Sequence, residues 1–259
     1  MIRALFVGLT LLVITPFCVA VVLTAAALGV PDRAGGIYDW ASRTFARALN
    51  WAGGVTIIEH GREHVKADEA HVLVMNHTSW YDVFTLAAVL PHYKFVAKAE
   101  LRRIPIFGKG ATAWGVIWVE RENRKQAFAS YETAALRVRN GVNVVVAPEG
   151  TRGDTYALRP FKKGPFVLAI AAQVPVIPVV VYGAREVMGR GSWAIRRGTV
   201  HLHYHPPIAT AGLAYADREA LAEQCRRAMA ATLEQEYAIS SPASAAELSP
   251  GASPTPATT

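Results

Sequence analysis

The sequence predicts an α/β fold, a mixed central sheet covered by helices and preceded by an N-terminal helical membrane anchor. From residue 55 onward, short apolar runs of strand length alternate with helical patterns, which implies a sheet with helices on both faces. Several of these runs end directly in charged or turn-forming clusters, as α/β sheets do where they carry chemistry. Ahead of them, Ala4 to Val30 contains no charged residue, and at ~1.5 Å per residue that length crosses a hydrocarbon core of ~30 Å.

The N-terminal run is longer than the hydrophobic region of a signal peptide, although Ala25-Ala26-Ala27 resembles a cleavage site. It is read as a retained anchor, interrupted by Pro16, which would kink it or make it re-entrant. Ile37 to Val55 mixes Trp40, Phe45, Leu49 and Trp51 with Arg43 and Arg47, the pattern of an amphipathic helix lying in the membrane interface. Arginine is more frequent after the anchor (Arg33, Arg43, Arg47) than before it (Arg3). The positive-inside tendency therefore sets the rest of the chain on the cytoplasmic side of a cytoplasmic membrane.

Strands are expected at Val55 to Ile58, Val72 to Met75, Phe95 to Lys98, Val116 to Val119, Val142 to Ala147, Val174 to Tyr182 and Thr199 to His205. Helices are expected at Trp80 to Leu90 behind the N-cap Ser79, and at Arg124 to Arg139 between Asn123 and Gly141. Two more are expected at Phe166 to Ala172 and at Arg218 to Tyr237 behind Asp217. The chain then divides into an anchoring helical segment (1–54), an α/β domain (55–239) and a tail (240–259). The tail is rich in Ser, Pro, Ala and Thr without periodicity, a composition expected to be disordered.

Hydrophobic residues make up 52% of the 259 and mean hydropathy is +0.20, which fits a membrane element. A formal net charge of +7 suits nucleic acid, an anionic membrane surface or an anionic substrate. No zinc-finger spacing, RNP-like aromatic pattern or helix-turn-helix signature supports nucleic acid, and none is expected as a partner. Cys18 and Cys225 alone make neither a disulfide framework nor a CxxC site.

The densest chemistry lies in His71-Val-Leu-Val-Met-Asn-His77-Thr-Ser-Trp-Tyr-Asp82. It reads as strand, sharp turn and helix, with His77 in the turn and Asp82 in the first helical turn. If the turn folds back, the Asp82 carboxylate holds the His77 imidazole in one tautomer and supports its charged form, which makes a general base suited to neutral pH. Three further blocks follow in order, Gly115-Val-Ile-Trp-Val-Glu-Arg121, Pro148-Glu-Gly-Thr-Arg152 and Val174-Pro-Val-Ile-Pro-Val-Val-Val181.

This series resembles the glycerolipid acyltransferase family, the 1-acylglycerol-3-phosphate acyltransferases and relatives. The family motifs are N-H-x-S-x-x-D, G-x-x-F-[ILV]-x-R, P-E-G-T-R and V-P-[IV]-[IV]-P, and the likeness spans roughly residues 70 to 185. Trp118 stands where the family has Phe, and Glu120 where Asp or Asn is usual. The resemblance implies catalysis by His77 and Asp82. It assigns Arg121 to the acceptor phosphate, whose oxygens a guanidinium fork matches, and Glu149, Gly150, Thr151, Arg152 and Lys98 to substrate binding. Gly150 permits a tight turn with exposed N–H groups. Glu149 and Arg152 bring opposite charges to one edge, where Glu149 orders the loop and Arg152 faces the anionic substrate. The Val174–Val181 block is read as a core strand.

The implied reaction moves a fatty acyl group from acyl-CoA or acyl carrier protein to the free hydroxyl of 1-acylglycerol 3-phosphate, giving phosphatidic acid. No G-x-S-x-G elbow exists and neither Cys lies near a motif, so direct attack on the thioester is expected rather than an acyl-enzyme. Another lysolipid or glycerol 3-phosphate would be an alternative acceptor. A non-catalytic lipid-binding protein or a hydrolase activating water with His77 are the rival classes. His201, His203 and His205 alternate on one predicted strand and share a face. Three ligands on a single strand are too open for a metal site, so an exposed strand face, no metal and no cofactor are expected.

Overall fold

The computed structural model describes residues 2–66, 69–120, 131 and 134–242. It opens with two long helices, α1 (Ile2–Ala27) and α2 (Ile37–Gly53). The α/β part then runs β1 (Val55–His60), β2 (Val72–Met75), α3 (Trp80–Val89), β3 (Tyr93–Lys98), α4 (Phe107–Trp114) and β4 (Ile117–Val119). Residues 134–139 are helical and belong to α5. After them come β5 (Asn143–Val146), α6 (Gly164–Ala172), β6 (Val176–Tyr182), α7 (Ala184–Val187), β7 (Gly198–Tyr204) and α8 (Arg218–Tyr237).

The seven strands form one sheet in the order β1-β7-β6-β2-β5-β3-β4. Every neighbouring pair is parallel except β6 with β7, which run antiparallel with Val179 opposite Tyr204. The sheet is therefore mixed, as expected. Strand β2 sits at its centre between β6 and β5, with Val72 opposite both Val176 and Val144. All four residues of β2 and of β5 are buried. Such strands read as continuous apolar runs because both faces are covered.

Alternate side chains enter two cores. Val72, Val74, Val144 and Val146 face α6 and α8, with Phe166, Leu168, Cys225 and Met229. Leu73, Met75, Val145, Ile177 and Val179 face the other way, toward Leu86 and Tyr81 of α3 and Ala46 of α2. Two helices had no clear signal in the sequence. Helix α4 follows a Pro-interrupted segment, and α7 is a single turn entered through Gly183 at φ 94°. A Cβ at Gly183 would stand 2.1 Å from the Thr199 carbonyl oxygen, so only glycine fits.

Helix α1 is long and apolar enough, by length and composition, to cross a membrane, and only 17% of its most apolar window is buried. Ile2, Leu5, Leu9, Leu12, Val13 and Phe17 are exposed along it. Helix α2, expected as an amphipathic helix in the membrane interface, packs against its neighbours in the protein. Its apolar face is covered, with Ala46, Leu49 and Ala52 fully buried against α1 and α3. Asn50 Nδ2 donates to Phe84 O of α3 at 2.8 Å. Trp40 and Trp51 remain exposed, where Trp51 pairs edge-on with Phe6 and Trp40 with Phe17 of α1. Asp32, between α1 and α2, binds the ammonium of buried Lys94 on β3 at 2.9 Å.

Asn143 joins three segments below the sheet. Its Oδ1 accepts from the His71 backbone N–H at 3.0 Å, and its Nδ2 donates to Pro91 O at 3.2 Å. Removing a buried side chain that makes such bonds strands its partners. Asn143→Ala should lower stability by about 2–4 kcal/mol. The measurement is urea unfolding in detergent, with the KM of each substrate unchanged as the sign that the site is intact.

Candidate active site

Strands β2, β5 and β6 are parallel neighbours, so their C-terminal ends share one edge. That edge carries Asn76 and His77 after β2, the Pro148 loop after β5, and Gly183 with α7 after β6. Asn76, directly after β2, does more than turn the chain. Its Nδ2 donates to Val181 O at 3.0 Å and its Oδ1 accepts from Val181 N at 2.7 Å. This two-way bond extends the β2–β6 ladder beyond the last strand residue and fixes where His77 leaves the sheet.

The turn then closes on Asp82. Its Oδ2 accepts from His77 Nδ1 at 2.9 Å, from Thr78 N at 2.6 Å and from Ser79 N at 2.7 Å. Ser79 caps α3, with Tyr81 N donating to its Oγ at 3.1 Å, so Ser79 and Asp82 form a capping box. The Ser79 hydroxyl in turn donates to Met188 O at 2.7 Å. Asp82 is fully buried, whereas the His77 side chain is 17% exposed. A carboxylate that accepts two backbone N–H bonds is an acceptor only, so Nδ1 of His77 carries the proton and Nε2 presents a lone pair.

The Pro148 loop grips the backbone of the same histidine. Gly153 N donates to His77 O at 2.7 Å, and Glu149 Oε1 lies 3.4 Å from His77 N. The charge that pairs with Glu149 comes from outside the motif. Glu149 Oε2 accepts from Arg159 Nε at 2.9 Å, and Arg159 also binds Thr151 O. The chain after the motif curls back and delivers Arg159, which leaves Arg152 for another task. Its guanidinium lies over the Trp80 ring, 5.0 Å from the centroid, at the first residue of α3.

The expectation of exposed N–H groups at Gly150 also needs correcting, because its N–H closes the turn onto Ala147 O at 3.1 Å. Gly150 is required for another reason. Its φ is 79°, and a Cβ there would stand 2.8 Å from the Lys162 side chain that crosses it.

Lys98 ends β3 level with Val119 of β4 and pairs with Glu100 at 2.7 Å, both about half exposed. Arg121 lies outside the described residues. Beside the Pro148 loop, Arg185, Arg190, Arg196 and Arg197 line a cavity of about 550 Å³ together with Asp154 and Glu186. Arg190 reaches from it to Arg152 O at 3.2 Å and to Asp154 at 3.1 Å.

Residues 56–182 match the model of the Acyltransferase family. The human 1-acyl-sn-glycerol-3-phosphate acyltransferase beta is 34% identical over 190 residues, which cover 73% of this chain and 68% of that protein. The chain belongs to the glycerolipid acyltransferase family. A second relative of the acyltransferase, acl-2 of Caenorhabditis elegans, provisionally carries the same 1-acyl-sn-glycerol-3-phosphate acyltransferase name. It is 32% identical over 200 residues, covering 76% of this chain and 71% of its own. The crystal structure of the 1-acyl-sn-glycerophosphate (LPA) acyltransferase PlsC from Thermotoga maritima has the same fold. Its TM-score is 0.77 at 23% identity, over 93% of this chain and 97% of that one.

Within the acyltransferase, burial lifts the Glu149 carboxyl above its ordinary value of 4.5, against the opposing pull of Arg159 and the His77 N–H. A carboxyl whose folded value is raised contributes stability below its unfolded value and loses it as pH rises through the raised one. Glu149→Gln removes that titration. The melting temperature of the variant relative to the parent should therefore climb as pH is raised from 4.5 toward neutrality. Thermal scans across that range check the sign, and an offset independent of pH would contradict it.

Proposed function

We propose that the chain transfers a fatty acyl group from an acyl thioester to the free hydroxyl of 1-acylglycerol 3-phosphate, with His77 as general base. The observation that carries this reading is the Asp82-held imidazole, whose backbone is bound to the Pro-Glu-Gly-Thr-Arg loop at the end of the central strand. The acceptor hydroxyl gives its proton to His77 Nε2 as its oxygen bonds to the thioester carbonyl carbon. The C–S bond then breaks, and the imidazolium returns the proton to the departing thiolate. Buried Asp82 stabilises the transient charge on the ring. The names of the relatives support this acceptor.

The acceptor phosphate is assigned to Arg121, with Arg152 and Lys98 as further cations. Arg152 is favoured by its place over Trp80, beside the base. Glu149 serves by ordering the loop through Arg159. For the donor, the four-arginine cavity beside the loop suits the anionic part of acyl-CoA or of acyl carrier protein. A cytoplasm-facing reaction is supported by the arginine excess after the anchor.

His77→Ala should lower kcat by about 10²- to 10⁴-fold, the usual range for a general base. Asp82→Asn should fold yet lose most of the rate, since a neutral amide cannot stabilise the imidazolium that forms on His77. Assays in mixed micelles test this, and near-normal turnover of the alanine variant would sink the mechanism. Arg121→Ala should weaken kcat/KM for the phosphorylated acceptor by roughly ten- to a hundredfold, the worth of a charge-assisted bond. The donor KM should be little changed. Monoacylglycerol, which lacks the phosphate, gives the comparison: an equal loss on both acceptors would make Arg121 structural.

A further inference from the structure

The structure changes the reading of the β7 histidines. His201 and His203 share a face as expected, but that face is half-buried, because the C-terminal part of α8 meets it. His203 Nε2 and Tyr237 Oη are 2.6 Å apart, and His205 Nε2 lies 3.2 Å from Thr232 Oγ1. The neighbouring edge strand supplies a third imidazole that spacing along one strand could not reveal. Strand β1 runs parallel to β7 with His60 opposite His203 and Ile58 opposite His201. The His60 ring stacks on His203 with centroids 4.2 Å apart.

We propose that His60, His201 and His203 form a binding site for a divalent transition-metal ion, zinc by ligand chemistry, which staples edge strand β1 to β7. One ligand atom from each of these residues lies within 4.8 Å of the others. His60 Nε2 and His201 Nδ1 are already 3.1 Å apart. Imidazole nitrogens bind tetrahedral zinc at about 2.0–2.1 Å, so two adjacent ligands sit roughly 3.4 Å from each other. The first pair meets that spacing, and the third ligand joins when the His203 ring turns out of its stack on His60. His205, the third histidine in the sequence pattern, is taken up by Thr232 and is not part of the site.

The surroundings suit a metal ligand set. Tyr237 holds the Nε2 side of His203, which leaves Nδ1 to the ion, the way an outer partner orients a ligating histidine. His60 is exposed, which provides an entry path and a position for a water ligand. The second acidic and histidine grouping, Asp32, Asp39 and His92, is a poorer candidate because the Lys94 ammonium already binds Asp32 at 2.9 Å.

A staple here has a mechanical sense. Strand β1 is held by a single neighbour at the edge of the sheet, and it follows α2 directly through Gly54. Joining His60 to β7 would tether the edge that carries the helical pair. The ion plays no part in acyl transfer, which lies two strands away at β2.

The experiment uses the full-length protein in detergent without a polyhistidine tag, stripped with chelator and titrated with zinc chloride by calorimetry. One ion per chain is expected, together with a rise in melting temperature. His60→Ala and His203→Ala should each weaken binding by more than about tenfold and abolish the zinc-dependent rise, with acyl transfer retained. Tyr237→Phe, which keeps all three imidazoles, should weaken binding by about tenfold. Cobalt should give the intense visible band of tetrahedral coordination in the parent and lose it in His60→Ala. Binding of less than one zinc per chain, or binding unchanged in His60→Ala, would overturn the proposal.

Discussion

A single carboxylate oxygen, Oδ2 of Asp82, organises the reactive end of this molecule. Two backbone N–H groups and the His77 ring converge on it within 2.9 Å. The same side chain closes the capping box of α3, so the helix start and the orientation of the base are one interaction. Burial removes competing water, and a low local dielectric strengthens each of these bonds. The geometry of the imidazole therefore depends on α3 being correctly seated. That seating depends in turn on the packing of Tyr81 and Leu86 under the sheet.

The sequence disclosed the parts of this arrangement whose cause is local. Val72 to Met75 and Val176 to Tyr182 were legible because fully buried parallel strands are written as uninterrupted apolar runs. The cap at Ser79 and the place of Asp82 in the first helical turn were legible because capping acts over three residues. What could not be read depended on contacts between distant segments. Arg159 stands ten residues from Glu149 with no spacing rule to link them, so nothing in the motif pointed to this ion pair. The role of Asn76 was not visible because its partner, Val181, is 105 residues away. Asp217 looked like an N-cap, yet its carboxylate accepts from Ala214 N and closes the short turn before α8.

The Pro148 loop shows how one motif divides its labour. Glu149 faces inward, buried, and binds Arg159; Gly150 provides the backbone conformation; Gly153 holds the carbonyl of His77. Arg152 lies over Trp80, and the Thr151 side chain is exposed beside it. The loop thus separates its tasks, with Glu149 and Gly153 bound to His77 and its own chain, and Thr151 and Arg152 left available to a ligand.

The packing of α2 has a consequence for scale. Asn50 binds the Phe84 carbonyl, Leu49 is fully buried, and Tyr81 Oη donates to Leu49 O at 3.4 Å. Helix α1, the exposed apolar helix, is thus joined through α2 to the very helix that bears Asp82. No flexible tether separates the two. If α1 is immersed in lipid, as its length and exposed apolar residues suit, the imidazole stands at a set altitude above the hydrocarbon, like a tool on a fixed post. A substrate whose tail stays in the bilayer must then present its hydroxyl at that altitude, so the geometry of the helical pair acts as a gauge on how far a lipid headgroup must rise to react.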